Sequence, residues 1–206
     1  MIRLSIAGLR QCISLATCTA LLSLSNAVQA DGFHYQIQAT TQFVANPAGE
    51  LSVLKMAWTY DPELAAILLE DEDLSEANKA ATLKQRANDI LEDLAKLGYF
   101  TQLSANDQAV ALDKVQDYQM QLTDDQSLVL SFQLPLKTAL PVAGKKISLR
   151  LADPDGVGAL LYNEAQQASL DSQLSKGCTQ PRLTQETLEL PNDHKLAVPI
   201  IQFECQ

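Results

Sequence analysis

Histidine is scarce in this 206-residue chain, which has two, His34 and His194. A Ser-His-Asp triad would have to use one of them. Neither lies in a nucleophile motif, and the sequence has no GxSxG, HExxH, Walker loop or GxGxxG after a strand. Acidic residues are plentiful, so a carboxylate-based hydrolase stays open as the weakest alternative, but nothing in their spacing marks a catalytic pair. Basic residues are also few, 15 Lys and Arg against 25 Asp and Glu, for a net charge of -10. The one basic doublet, Lys145-Lys146, is isolated, so nothing here could overcome phosphate repulsion, and a nucleic-acid partner is excluded. Aromatics make up only 5% of residues. The aliphatic residues nevertheless fall in periodic segments, which argues for a packed core over disorder.

Long apolar runs are missing everywhere except at the start. Arg3 and Arg10 precede an apolar stretch from Ile13 to Leu24, followed by Asn26-Ala27-Val28-Gln29-Ala30. Val28 and Ala30 occupy the -3 and -1 positions of a small-residue cleavage site, completing the layout of a secretory signal peptide. The run is short for a bilayer span of about 20 residues. Leu15-Ala16-Thr17-Cys18 is close to a lipoprotein cleavage box, although Thr17 fits poorly before the cysteine. Residues 1–30 are thus expected to be removed, leaving a single domain over 31–206 with no membrane span. Losing Arg3 and Arg10 takes the net charge to -12.

Cleavage would also remove Cys12 and Cys18, leaving Cys178 and Cys205. Two cysteines in an oxidising compartment allow one intramolecular disulfide. They lack CxxC spacing and an adjacent histidine, which disfavours a metal thiolate.

Along the rest of the chain, His34 to Val44 alternates with period two and reads as a half-buried strand. Asn46-Pro47-Ala48-Gly49 is turn chemistry, and Leu51 to Tyr60 forms the returning strand, with Leu54, Met56, Trp58 and Tyr60 inward. Asp61-Pro62-Glu63 opens a helix reaching about Glu70, its apolar side carrying Leu64, Ile67 and Leu68. The acidic run Glu70 to Asp73 lies where the dipole disfavours it, so the helix should stop or bend there. The run lacks the spaced oxygens and glycine of an EF-hand loop and reads as a solvated terminus. Ser75 can cap a second helix whose positions Leu83, Ala87, Ile90, Leu91, Leu94 and Leu97 follow helical spacing, with Gly98 as its stop. Period two then returns in Tyr99 to Leu103, Tyr118 to Leu122, Leu128 to Leu134, Ile147 to Leu151, Val157 to Tyr162 and Val198 to Glu204. Asp153-Pro154-Asp155-Gly156 ends one of these strands, and Ser169 to Ser175 reads as a polar loop. The expected fold is α+β: a mostly antiparallel, sandwich-like β domain with a two-helix insertion, about residues 61–98, between strands 2 and 3.

His34 sits close to the expected new N-terminus. The free amine of Asp31 and an imidazole near it can bind a borderline metal such as zinc, nickel or copper.

The ordered set His34, Trp58-Thr59-Tyr60-Asp61, Gly98-Tyr99-Phe100-Thr101, Leu151-Ala152-Asp153-Pro154 and the C-terminal cysteine pair resembles an uncharacterised periplasmic family. That family is described as a periplasmic component of an ABC-type transport system and accompanies nickel/cobalt-type metal permeases. The resemblance spans roughly Phe33 to Cys205. It implies a non-catalytic periplasmic accessory or binding protein linked to nickel, cobalt or zinc transport, with an inner-membrane metal permease as partner. His34 and Asp31 are the metal positions it points to. Family members begin with His-Pro-His, where this chain has Gly32-Phe33-His34, so one of the two histidines is missing. Many members carry a glycine- and aspartate-rich stretch where this chain has Glu70-Asp71-Glu72-Asp73. The alternative is a metal-free interaction module that docks on a permease through its helical insertion.

Overall fold

The structure, a computed structural model, describes residues 35–189 and 195–206. Alternation of apolar and polar residues produces most of its strands. β1 (Tyr35–Ala45) buries Ile37, Ala39, Thr41 and Phe43, and β2 (Leu51–Tyr60) returns antiparallel, burying Leu54, Met56, Trp58 and Tyr60. The Asn46 side chain accepts the amides of Ala48 and Glu50, and Gly49 takes φ 83°, which closes the turn.

The helical insertion follows β2. Asp61 accepts the Leu64 amide at 2.8 Å and Pro62 takes the first helical position of α1 (Pro62–Leu68). The expected apolar face is corrected. Ala65 and Leu69 turn inward, while Ile67 is 61% exposed. The chain bends at Asp71, φ 62°, inside the acidic run. Ser75 does not cap the second helix. Asn78 holds the cap position of α2 (Lys79–Lys96) without a side-chain bond, and the Ser75 carbonyl accepts the amides of Asn78 and Lys79. Asp73 organises this start by accepting from the Ser75 amide and the Asn78 side chain, and these bonds hold its carboxyl below the usual carboxylate range. Leu83, Ala87, Leu91 and Leu94 are buried where α2 packs on the strand Asp117–Leu122, and Leu97 ends 44% exposed.

Gly98, Tyr99 and Phe100 all have positive φ, 62°, 56° and 52°, so β3 begins two residues later than expected, at Thr101 (Thr101–Ala105). A left-handed conformation costs non-glycine residues about 1–2 kcal/mol each. Here it turns both rings into the core: Phe100 stacks on Trp58 with centroids 6.3 Å apart, and Tyr99 lies 6.4 Å from Phe132. The hydroxyl of Tyr99 also accepts the Val115 amide at 3.1 Å.

The remaining strands are β4 (Gln108–Val110), β5 (Asp117–Leu122), β6 (Leu128–Leu140), β7 (Lys146–Leu151), β8 (Gly158–Leu161), β9 (Ala168–Leu170), β10 (Arg182–Glu189) and β11 (Lys195–Glu204). One sheet has the order β5-β6-β2-β1-β8, with β9 also on β1; the other runs β10-β11-β7-β3-β4. Their inner faces share one core, bridged by Phe43 against Phe203 at 4.8 Å and centred on the fully buried Trp58, Leu130, Leu149 and Ile201. This is the expected mostly antiparallel sandwich with the helices inserted between β2 and β3. It has one departure, since β8 and β9 both pair with β1 in parallel. The stretch Ser169 to Ser175 is not simply a loop. It takes in the end of β9 and a 3-10 turn, burying Leu170 and Leu174.

Candidate functional site

The sequence places its functional nominees at the start of β1. Asp31 and His34 lie outside the described residues; Tyr35, next in the chain, lies within them. Its ring rests on Gly158, where a Cβ would come within 2.1 Å of the ring, so this register of β1 against β8 requires glycine. The Tyr35 hydroxyl donates a long hydrogen bond, 3.4 Å, to Oδ2 of Asp153.

Asp153 is buried, and among the described residues no cation neutralises it. Its carboxylate is held by backbone donors instead. Oδ1 accepts the Asp155 amide at 2.9 Å, and Oδ2 accepts the Gly158 amide at 2.9 Å. Charge-assisted bonds to backbone amides are the arrangement that lets a carboxylate stay buried. The Asp-Pro-Asp-Gly turn is therefore closed from inside by its first residue. Burial first, then the charge of Asp153, pushes the Tyr35 phenol up to about 12. It thus remains a donor throughout the physiological range. Tyr60 lies behind it, fully packed, its phenol raised by burial and by Tyr35.

The β10–β11 hairpin reaches the same end. β7 pairs with β11 only from Ile200 to Glu204, whereas β10 pairs as far as Lys195. Pairing with β7 stops beside Pro199, which has no amide hydrogen. Beyond that point the hairpin continues as two strands, with Val198 and Leu188 packed on Ala152, the neighbour of Asp153. β4 and β10 had no sequence-based expectation. β10 is largely exposed on both faces and so shows no apolar alternation to read.

Among the described residues there is no group of three or more His, Cys, Asp or Glu able to hold a metal. Both oxygens of Asp153 accept hydrogen bonds, and among the described residues the Asp155 side chain makes none. The described part of the site does not by itself fit a metal ion. The nominated cysteines lie at the far end of β11, where Cys178 and Cys205 form a disulfide. Sequence reasoning placed Asp153 in a strand-ending turn and in the family resemblance, but not in a functional site. The signal available was a carboxylate directly after the inward-facing Leu151 and a buried neighbour, Ala152.

The family model for a protein of unknown function (DUF1007) matches residues 17–196. No curated protein matches the chain. Among solved structures, the chain is similar to a crystal structure of AChBP from Bulinus truncatus. Identity is 9% and the TM-score 0.40, over 86% of this chain and 91% of that one, and a likeness of this degree carries no argument about function. The extent of the family match, most of the chain, is what identifies it: this protein belongs to the DUF1007 family of proteins of unknown function.

Proposed function

We propose that the protein is a non-catalytic periplasmic accessory or binding protein linked to transition-metal transport, taking nickel, cobalt or zinc and working beside an inner-membrane metal permease. The observation that carries this reading is the clamp at the start of β1. Tyr35, the residue after His34 in the chain, is held by Gly158 and Asp153, whose turn also carries the carboxylate of Asp155. An imidazole, a terminal amine and a carboxylate suit a borderline divalent ion. The buried Asp153 carboxylate, held in place by two backbone amides and the Tyr35 phenol, supports a structural role for this residue and with it the non-catalytic reading.

The test is titration with zinc and nickel of untagged protein whose N-terminus is Asp31. Binding should weaken at least tenfold in His34→Ala and less in Asp155→Asn. Absence of binding, or binding indifferent to His34→Ala, rejects the metal role.

A second reading, a metal-free module docking on a permease through the helical insertion, is supported by Ile67 and Leu97, 61% and 44% exposed. It predicts permease association that survives chelation and is lost in Ile67→Asp.

A further inference from the structure

The outward face of the sheet containing β1 carries a shallow groove of about 550 Å³. Strand register builds it. Ser169, Gln42, Lys55, Gln133 and Asp117 lie side by side on β9, β1, β2, β6 and β5. The next row outward-facing along the strands is Thr40, Ala57, Ser131 and Gln119. Five strands at about 4.8 Å spacing give a length of roughly 19 Å. Ala57 and Ser131 are short and half-buried, and form the floor; Gln42, Lys55 and Gln119 are exposed and form the walls.

The other sheet offers a contrast. The groove on its outer face is also polar, but Arg150 there is tied up with Glu186 and Gln102. In the first groove Gln133 donates to Asp117, yet among the described residues the side chains of Gln42, Lys55 and Gln119 make no hydrogen bond. Its two charges, Lys55 and Asp117, cancel, on a chain of net charge -10.

We infer that this groove binds a neutral oligosaccharide. A carboxamide offers a donor and an acceptor together, the match for a hydroxyl that is both. Balanced charge favours a neutral ligand over an anionic or cationic one, and the length across the strands suits a chain of several rings. The lining lacks an exposed aromatic platform, so the contacts are hydrogen bonds and the affinity is modest.

The inference is independent of the metal reading, and its test is run with a chelator present. The full domain is titrated calorimetrically with chitotetraose, cellotetraose and maltotetraose. At least one should saturate at millimolar concentration or below. Gln42→Ala and Gln133→Ala should each weaken it about five- to tenfold, at one hydrogen bond per side chain. Ser131→Arg, which fills the floor, should abolish it, and Gln102→Ala on the other sheet should leave it unchanged. All four side chains point outward, so unchanged far-UV circular dichroism separates lost binding from misfolding. Failure of all three sugars to bind, binding that survives Ser131→Arg, or saturation by an extended peptide instead would overturn the proposal.

Discussion

The two ends of β1 are secured by the same device and differ in what backs it. At the Ala45 end, Asp171 accepts the amides of Ala45, Gln173 and Leu174 at 2.7, 3.0 and 2.8 Å. At the Tyr35 end, Asp153 accepts the amides of Asp155 and Gly158 and the Tyr35 hydroxyl. In both places one carboxylate gathers a turn and ties it to β1. The Ala45 end is then closed covalently. The Cys178 amide bonds the Leu174 carbonyl, and the disulfide joins this turn to the end of β11. Among the described residues the Tyr35 end has no such closure and relies on a phenol, a glycine and a two-stranded hairpin.

Breaking the covalent end should have the largest effect. Replacing both cysteines with serine opens a loop of 27-residue separation, worth about 3–4 kcal/mol in the loop-closure model. The melting temperature should fall by roughly 10 °C, read by calorimetry. At the open end, Gly158→Ala should cost about 1–3 kcal/mol, because the new methyl meets the Tyr35 ring. Tyr35→Ala should relieve much of that cost, so urea unfolding of the double mutant should be strongly non-additive. Asp153→Ala and Asp171→Ala should each cost about 1–3 kcal/mol by stranding amide donors. The Asp171 loss should grow after reduction of the disulfide, whereas the Asp153 loss should not.

Alkaline titration sharpens the comparison further. The folded Tyr35 phenol holds its proton up to about 12, against 10.0 for an unperturbed phenol. Its contribution is therefore complete below pH 10 and is lost as pH rises toward 12. Tyr60 and Tyr162, both buried, are raised too and act in the same sense. The urea midpoint should decline above pH 10, less steeply in Tyr35→Phe. The smallest effect is expected at Ile67→Ser, within about 0.5 kcal/mol, because Ile67 is exposed.

Where alternation is strong the sequence was readable. In β1, β2, β6 and β7 the alternation read from the sequence is the alternation of burial, because one face of each strand meets the core and the other meets water. The helix boundaries were legible at Asp61 and Gly98, where the cap chemistry is local. Ser75 misled because Asp73 holds its amide and its carbonyl, not its hydroxyl, accepts the amides of Asn78 and Lys79, which moves the cap position to Asn78. Ile67 misled because a helix of seven residues has too few apolar positions to define its buried side. Of the candidate site, Asp31 and His34 were nominated from their position near the expected cleavage point and from the family resemblance and lie outside the described residues, while Tyr35, Asp153 and Gly158 meet across 118 to 123 residues of chain, beyond the reach of any local pattern.

The sequence alone determined what depends on neighbours along the chain: strand periodicity, the Asp61 cap and the stop at Gly98. Tertiary structure decided what depends on distant partners: the parallel seating of β8 and β9 on β1, the left-handed turn at Tyr99-Phe100, and the capture of Tyr35 by Asp153. Those choices rest on which surfaces fill the same core and which buried polar atoms find partners. No local pattern encodes either.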